Sequence, residues 1–141
     1  MLQHLVLHAT GAPEVMRLEP VEAQATGPGE VWLTQAAIGV NPLDVSQRKG
    51  AVRIPLPSGL GLEGAGTVAA IGVGVSNVAV GDRVAYATGP LGAYASARLF
   101  PADRLVKLPD AMAFDDAAAV LFQSLFTAFS GPRKYLAGMG C

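Results

Sequence analysis

The most interesting polar cluster in the chain is Asn41-Pro42-Leu43-Asp44-Val45-Ser46. An amide, a carboxylate and a hydroxyl this close together can hydrogen-bond a small molecule. The same residues can instead cap a helix, because Asn41 and Asp44 flank backbone N–H groups that have no intrahelical partner. From the residues alone, capping is the simpler reading. A second candidate is Gly59-Leu60-Gly61-Leu62-Glu63-Gly64, a literal G-x-G-x-x-G, with Asp82 downstream where a ribose-binding acid would stand. That pattern signals a dinucleotide only between a strand and a helix whose N-terminus faces the pyrophosphate. Here Pro55, Pro57 and Ser58 precede it, and a strand-like Thr67-Val68-Ala69-Ala70-Ile71 follows. The glycines therefore read as a tight loop where backbones pass close together. Glu63, the one acid in that apolar loop, needs a partner if it is charged. It reads as a carboxylate bracing the loop, with a chemical role as the alternative.

Other polar residues carry less. His4 and His8 share one face of a strand, but no cysteine or matched acid joins them, so they read as a surface or satisfied pair. In Val80-Gly81-Asp82-Arg83-Val84, Asp82 reads as ordering a turn and Arg83 as solvent-facing or locally paired. Ser124 and Thr127 sit on an Ala-rich helical stretch, where hydroxyls bond back to the helix or pack at an interface.

The elements that must position these groups follow from composition and punctuation. The 141 residues are 51% hydrophobic and 15% charged, with 17 Gly and 10 Pro. That balance suits one folded domain with many turns and is the reverse of a disordered chain. A net charge of −1 leaves no basic excess for nucleic-acid phosphates. The one cysteine, Cys141, can form neither an internal bridge nor a Cys-rich zinc site. No secretory signal or apolar run of membrane-spanning length is visible, so the expectation is a soluble, cytoplasmic protein without a membrane partner.

Strands are expected over Leu2–Ala9, Val15–Glu19, Glu30–Val40, Gly66–Val75, Val80–Ala87, Ala93–Phe100 and Leu105–Leu108, separated by turn signals such as Thr26-Gly27-Pro28-Gly29. Their spacing suggests an antiparallel barrel or sandwich. A short helix is expected after Asn41, with Pro42 at its first position and Gly50 ending it. A second is expected from Phe114 to Phe129, where Asp115 and Asp116 suit the positive end of the dipole.

Taken together, Gly11-Ala12-Pro13-Glu14-Val15-Met16, Ala37-Ile38-Gly39-Val40-Asn41-Pro42-Leu43-Asp44, Pro57 to Gly66, Val80 to Val84, Gly92-Ala93-Tyr94-Ala95 and Ala117-Ala118-Ala119 resemble a known family. They resemble the zinc-independent, zeta-crystallin-like quinone oxidoreductases of the medium-chain dehydrogenase/reductase superfamily. The resemblance runs over residues 4 to 125, in order and spacing. It implies a mainly β fold: a GroES-like, partly open β-barrel with short helices over residues 1–112. A connecting helix over 113–130 would lead towards a Rossmann domain that is absent from the chain, and 131–141 would be an irregular tail. Zinc-dependent relatives carry a cysteine near Asn41 and a histidine where this chain has Leu62, so the resemblance implies no metal.

The activity it implies is hydride transfer from NADPH to a quinone or enone. Asn41 and Asp44 would be the catalytic residues, and Pro42, Leu43, Ser46 and Thr127 would lie against the cofactor. Relatives often carry tyrosines where this chain has Ser46 and Val52, which implies weaker stacking on the acceptor. They also run the leucine before the threonine without the intervening Phe126. A shortened or frame-disrupted reading frame would explain the absent nucleotide half. The expectation is then that the chain by itself binds NADPH weakly or not at all and turns over no quinone. Two alternatives stand beside this. One is a GroES-like interaction module without catalysis, self-associating through an exposed face of the 114–129 helix. The other is an enzyme completed by a separate nucleotide-binding chain.

Overall fold

In the computed structural model residues 1–119 are described, and they form two antiparallel sheets. In the smaller sheet β1 (Gln3–Leu7) pairs with β2 (Met16–Pro20), Leu5 lying opposite Leu18. A single 3-10 turn over Pro13–Val15 precedes β2, because Pro13 is pre-set for a first helical position. The larger sheet is ordered β6-β3-β4-β5-β7. Its strands are β3 (Glu30–Ile38), β4 (Glu63–Ile71), β5 (Arg83–Ala87), β6 (Ala97–Pro101) and β7 (Val106–Lys107). Isolated bridges, His4 with Ala95 and Leu7 with Ser58, tie the small sheet to the loops of the large one.

The main core gathers Val31 and Leu33 of β3, Val68 of β4, Val84 and Tyr86 of β5 and Phe100 of β6. The two-residue step between Val31 and Leu33, and between Val84 and Tyr86, is the strand period that puts alternate side chains on one face. A second, smaller core is built almost wholly of alanine. Ala65 and Ala85, direct cross-strand partners, pack against Ala117 and Ala118. Those two belong to a helix that begins at 114 and is described to 119.

Arg83 fastens this helix to the sheet. Its guanidinium donates to the carbonyls of Pro109, Asp110 and Met112 and stacks on the Phe114 ring at 4.2 Å. The local pairing expected for Arg83 is thus a clamp on a segment distant in sequence. Ala117 and Ala118 are covered by the sheet, whereas an exposed apolar helix face was expected; residues 120–129 of that face, the tail, Ser124 and Thr127 lie outside the described residues.

The first helix, α1 (Pro42–Lys49), forms where the caps predict it, with Asn41 extended at its N-cap and Gly50 left-handed at its C-cap. Its buried face is polar: Asp44, Gln47 and Arg48. The main differences lie in strand limits. The expected Gly66–Val75 strand begins earlier, at Glu63, and ends at Ile71, so Glu63 and Gly64 lie on a strand and not in a loop. Residues 93–96 stand outside the ladders because their N–H groups turn to Gly61, Leu60, Ala93 and Gln3 carbonyls instead. Among the described residues, no helix is long and apolar enough to cross a membrane.

Candidate functional site

The end of β3 delivers the chain into α1 beside the start of β4, and there the polar residues converge. Gly39 donates its N–H to the Glu63 carbonyl at 3.0 Å, closing the strand pair. Two residues later Asn41 points its side-chain amide at Glu63, donating to Oε2 at 3.0 Å. Asn41 also donates its backbone N–H to Asp44 Oδ2 at 3.0 Å, while the Asp44 N–H returns to the Asn41 carbonyl. The same Asp44 oxygen accepts the hydroxyl of Tyr94. Tyr94, Asp44, Asn41 and Glu63 thus form one continuous chain of hydrogen bonds.

Burial makes this chain consequential. Glu63 is 2% exposed, Asp44 1% and Asn41 6%. Two carboxylates out of water require donors that stay in place, since an uncompensated buried charge is strongly destabilising. Burial, reinforced by the Asp44 bond and charge, pushes the Tyr94 phenol well above its usual acidity range. Tyr94 is therefore a fixed neutral donor at physiological pH. Asp44 Oδ1 and Gln47 Oε1, three residues apart on α1, are buried acceptors without a hydrogen-bond partner.

Two clefts flank the last turn of β3 and share Ala36, Ala37 and Ile38 as their common wall. One, of about 410 Å3, is mostly apolar and is lined by Leu5, Leu18, Gln35 and the Tyr94 ring. The other, of about 420 Å3, is polar and is lined by Val40, Asn41, Glu63, Asp115, Ala118 and Ala119. The polar cleft offers carboxylate acceptors to a ligand N–H group and methyl walls to a flat ring. Among the described residues, no Lys, Arg or His lines it.

A second polar cluster lies deeper. Tyr86 donates its hydroxyl to Gln35 Oε1, and Arg98 Nη1 donates to the same hydroxyl at 3.3 Å. Arg98 Nη2 holds the carbonyls of Pro90 and Leu91, and its guanidinium lies over the Phe100 ring. Gln35 Nε2 donates to the carbonyls of Ala93 and Ala95, on either side of Tyr94. Burial pushes the Tyr86 phenol upward, partly opposed by the nearby Arg98 charge.

The structure brings Asn41 and Asp44 together, and Asp44 is buried with no open face. Pro42 is exposed, Leu43 and Ser46 are half-buried, and Ser46 Oγ bonds back to the Pro42 carbonyl at 3.3 Å. Thr127 lies outside the described residues. Asp82 does order its turn, accepting the Ala79 N–H at 2.9 Å. His8 pairs with Glu19 at the surface of the small sheet. Sequence reasoning missed Tyr94, Gln35, Tyr86 and Arg98. The one available signal was Asp44 itself: an acid on the inward face of a helix demands a donor from elsewhere.

Residues 27–110 match the family described as the alcohol dehydrogenase GroES-like domain. A quinone oxidoreductase of Pseudomonas aeruginosa is 45% identical over 136 residues, covering 96% of this chain and 42% of that protein. A 2-haloacrylate reductase of Burkholderia sp is 40% identical over 121 residues, covering 82% of this chain and 36% of that protein. The crystal structure of Escherichia coli quinone oxidoreductase complexed with NADPH superposes with a TM-score of 0.86 at 36% identity, covering 92% of this chain and 40% of that one. The chain spans about two fifths of the length of the relatives it matches.

Proposed function

This chain belongs to the alcohol dehydrogenase GroES-like domain family, and from that premise we propose that it is the substrate-side part of an NADPH-dependent oxidoreductase. Its acceptors would be quinones or enones, and the polar cleft would take the nicotinamide end of the cofactor. The observation that carries this reading is the Asn41–Glu63 pair at a cleft whose carboxylates offer acceptors for an amide. A nicotinamide ring with its carboxamide suits that chemistry; the pyrophosphate and adenosine do not. Relatives support the acceptor class, since quinones and 2-haloacrylates both carry an activated double bond.

When bound, NADPH supplies the hydride. The work of these residues is placement, which can account for a large part of a rate enhancement. Asn41, held by Asp44 on its backbone side, aims its amide along the cleft. Glu63 orients that amide and gives the cleft its negative end. Asp44 is a positioning residue. Pro42, Leu43 and Ser46, at the exposed start of α1, would lie along the cofactor, and Thr127 would join them. The alanine walls, Ala36 to Ala118, exclude water from one side of the ring.

A fluorescence titration of the 141-residue chain tests this. Reduced nicotinamide mononucleotide is expected to bind, and Asn41→Ala to abolish binding. NADPH is expected to bind no more tightly, with no oxidation in the presence of a simple quinone. Micromolar NADPH binding accompanied by turnover would overturn the reading of the cleft.

A further inference from the structure

We propose that Tyr94 is a positioning residue for this site, one that sets Asn41 through the carboxylate of Asp44. The inference rests on the reading of the polar cleft given above and extends it to a residue on the far side of the β3 wall. Tyr94 and Asp44 are fifty positions apart, yet the phenol reaches the same oxygen, Oδ2, that accepts the Asn41 backbone N–H. The other Asp44 oxygen has no partner. The orientation of this carboxylate therefore depends on two donors at one atom, and Tyr94 is one of them. Asn41 in turn carries the amide that faces Glu63.

The ring that presents the hydroxyl is itself fixed. Gly61 adopts φ +94, and a Cβ there would come within 2.6 Å of Tyr94 Cδ1. The Tyr94 backbone is pinned by its N–H to the Leu60 carbonyl at 2.9 Å, and the flanking carbonyls of Ala93 and Ala95 are held by Gln35. A donor this constrained passes its position on to Asp44. Take away the hydroxyl and the buried carboxylate keeps one donor where it had two; the start of α1 must then shift or admit water.

Tyr86 provides the control, since it too is hydrogen-bonded and packed on a glycine of the same run, although it is fully buried where Tyr94 is half-buried. Its hydroxyl serves Gln35 and Arg98 and does not contact Asp44. The experiment compares Tyr94→Phe with Tyr86→Phe in the 15N-labelled 141-residue chain. Hydrogen exchange and chemical shifts are read at the Asn41 backbone and side-chain amides, with Val68 and Val84 as fold controls. Tyr94→Phe should speed Asn41 exchange by about tenfold, the scale of one lost hydrogen bond to a charged group, and move both Asn41 signals. Tyr86→Phe should leave them near wild type, because Gln35 Nε2 still holds its two carbonyls.

The affinity for reduced nicotinamide mononucleotide should fall about tenfold in Tyr94→Phe and little in Tyr86→Phe. Asp44→Asn is the second variant should Tyr94→Phe not fold, and it should displace the Asn41 signals as well. Unchanged Asn41 exchange in both site variants, or an equal effect from Tyr86→Phe, overturns the proposal. If wild type does not bind the mononucleotide, the cleft reading fails by itself, and the exchange data still decide the role of Tyr94.

Discussion

Two tyrosines sit on two glycines of a single run, and their surroundings differ in kind. Tyr94 packs on Gly61 and joins two buried carboxylates through Asn41. Tyr86 packs on Gly64 and joins a buried guanidinium through its own hydroxyl. The first network opens on the polar cleft at Asn41 and Glu63. The second is sealed at Tyr86, which is fully buried with its ring centroid 4.1 Å from that of Phe100, and it meets the apolar cleft through Gln35. Arg98 spends its donors on loop carbonyls and the tyrosine, so this cluster ties the 90–95 segment to the sheet. One network borders the cleft proposed to take a ligand, whereas the other fastens the scaffold. The glycines here make room for aromatic rings.

The largest expected effect tests the sealed half. In Gly64→Ala the new Cβ would lie 2.5 Å from Gln35 Oε1 and 2.8 Å from the Tyr86 hydroxyl. Overpacking of this sort costs about 3 kcal/mol, to be read by urea denaturation. Arg98→Met should follow, at about 2 kcal/mol, because the Pro90 and Leu91 carbonyls lose their donor; the Asn41 amide signals should stay in place. If they moved as far as in Tyr94→Phe, the two networks would be one.

Alkaline titration gives a smaller effect that belongs to the open half. The folded state holds the Tyr94 proton above the ordinary phenol value of 10.0. Its contribution is complete below that pH and is lost as pH rises through the folded value, because the unfolded chain ionises first. Wild type should therefore lose stability more steeply above pH 10 than Tyr94→Phe does.

The smallest expected effect comes from Asp82, whose carboxyl is lowered by the Ala79 N–H and by Lys107. Its contribution is present above the ordinary value of 3.8 and fades as pH falls through the lower folded value. Asp82→Asn should flatten the acid limb slightly and leave both tyrosine networks untouched.

Much of the frame was legible in the residues. Asn41, Pro42 and Gly50 mark α1 because caps act locally, and the Gly-Pro turns separate the strands for the same reason. The start of β4 was not legible: Glu63 and Gly64 are poor strand formers, and they extend there because β3 and β5 pair with them. Local propensity yields to such ladders. The candidate cluster at Asn41 and Asp44 was visible as capping chemistry, and capping is part of what it does. That Asp44 also meets Tyr94 depends on the fold closing a long loop, and no spacing rule reports it. Glu63 was seen as an acid in need of a partner, but its partner is Asn41 and its place is a strand.

We propose that the described residues form the nicotinamide-facing side of an oxidoreductase site, with Asn41 at its centre. Amide chemical-shift mapping on the 141-residue chain, titrated in turn with reduced nicotinamide mononucleotide and NADPH, tests it most directly. The account predicts one shared footprint, centred on Gly39 to Asp44 and Glu63, with similar affinity for both ligands. A footprint on Gly59 and Gly61 with much tighter binding of NADPH would contradict it.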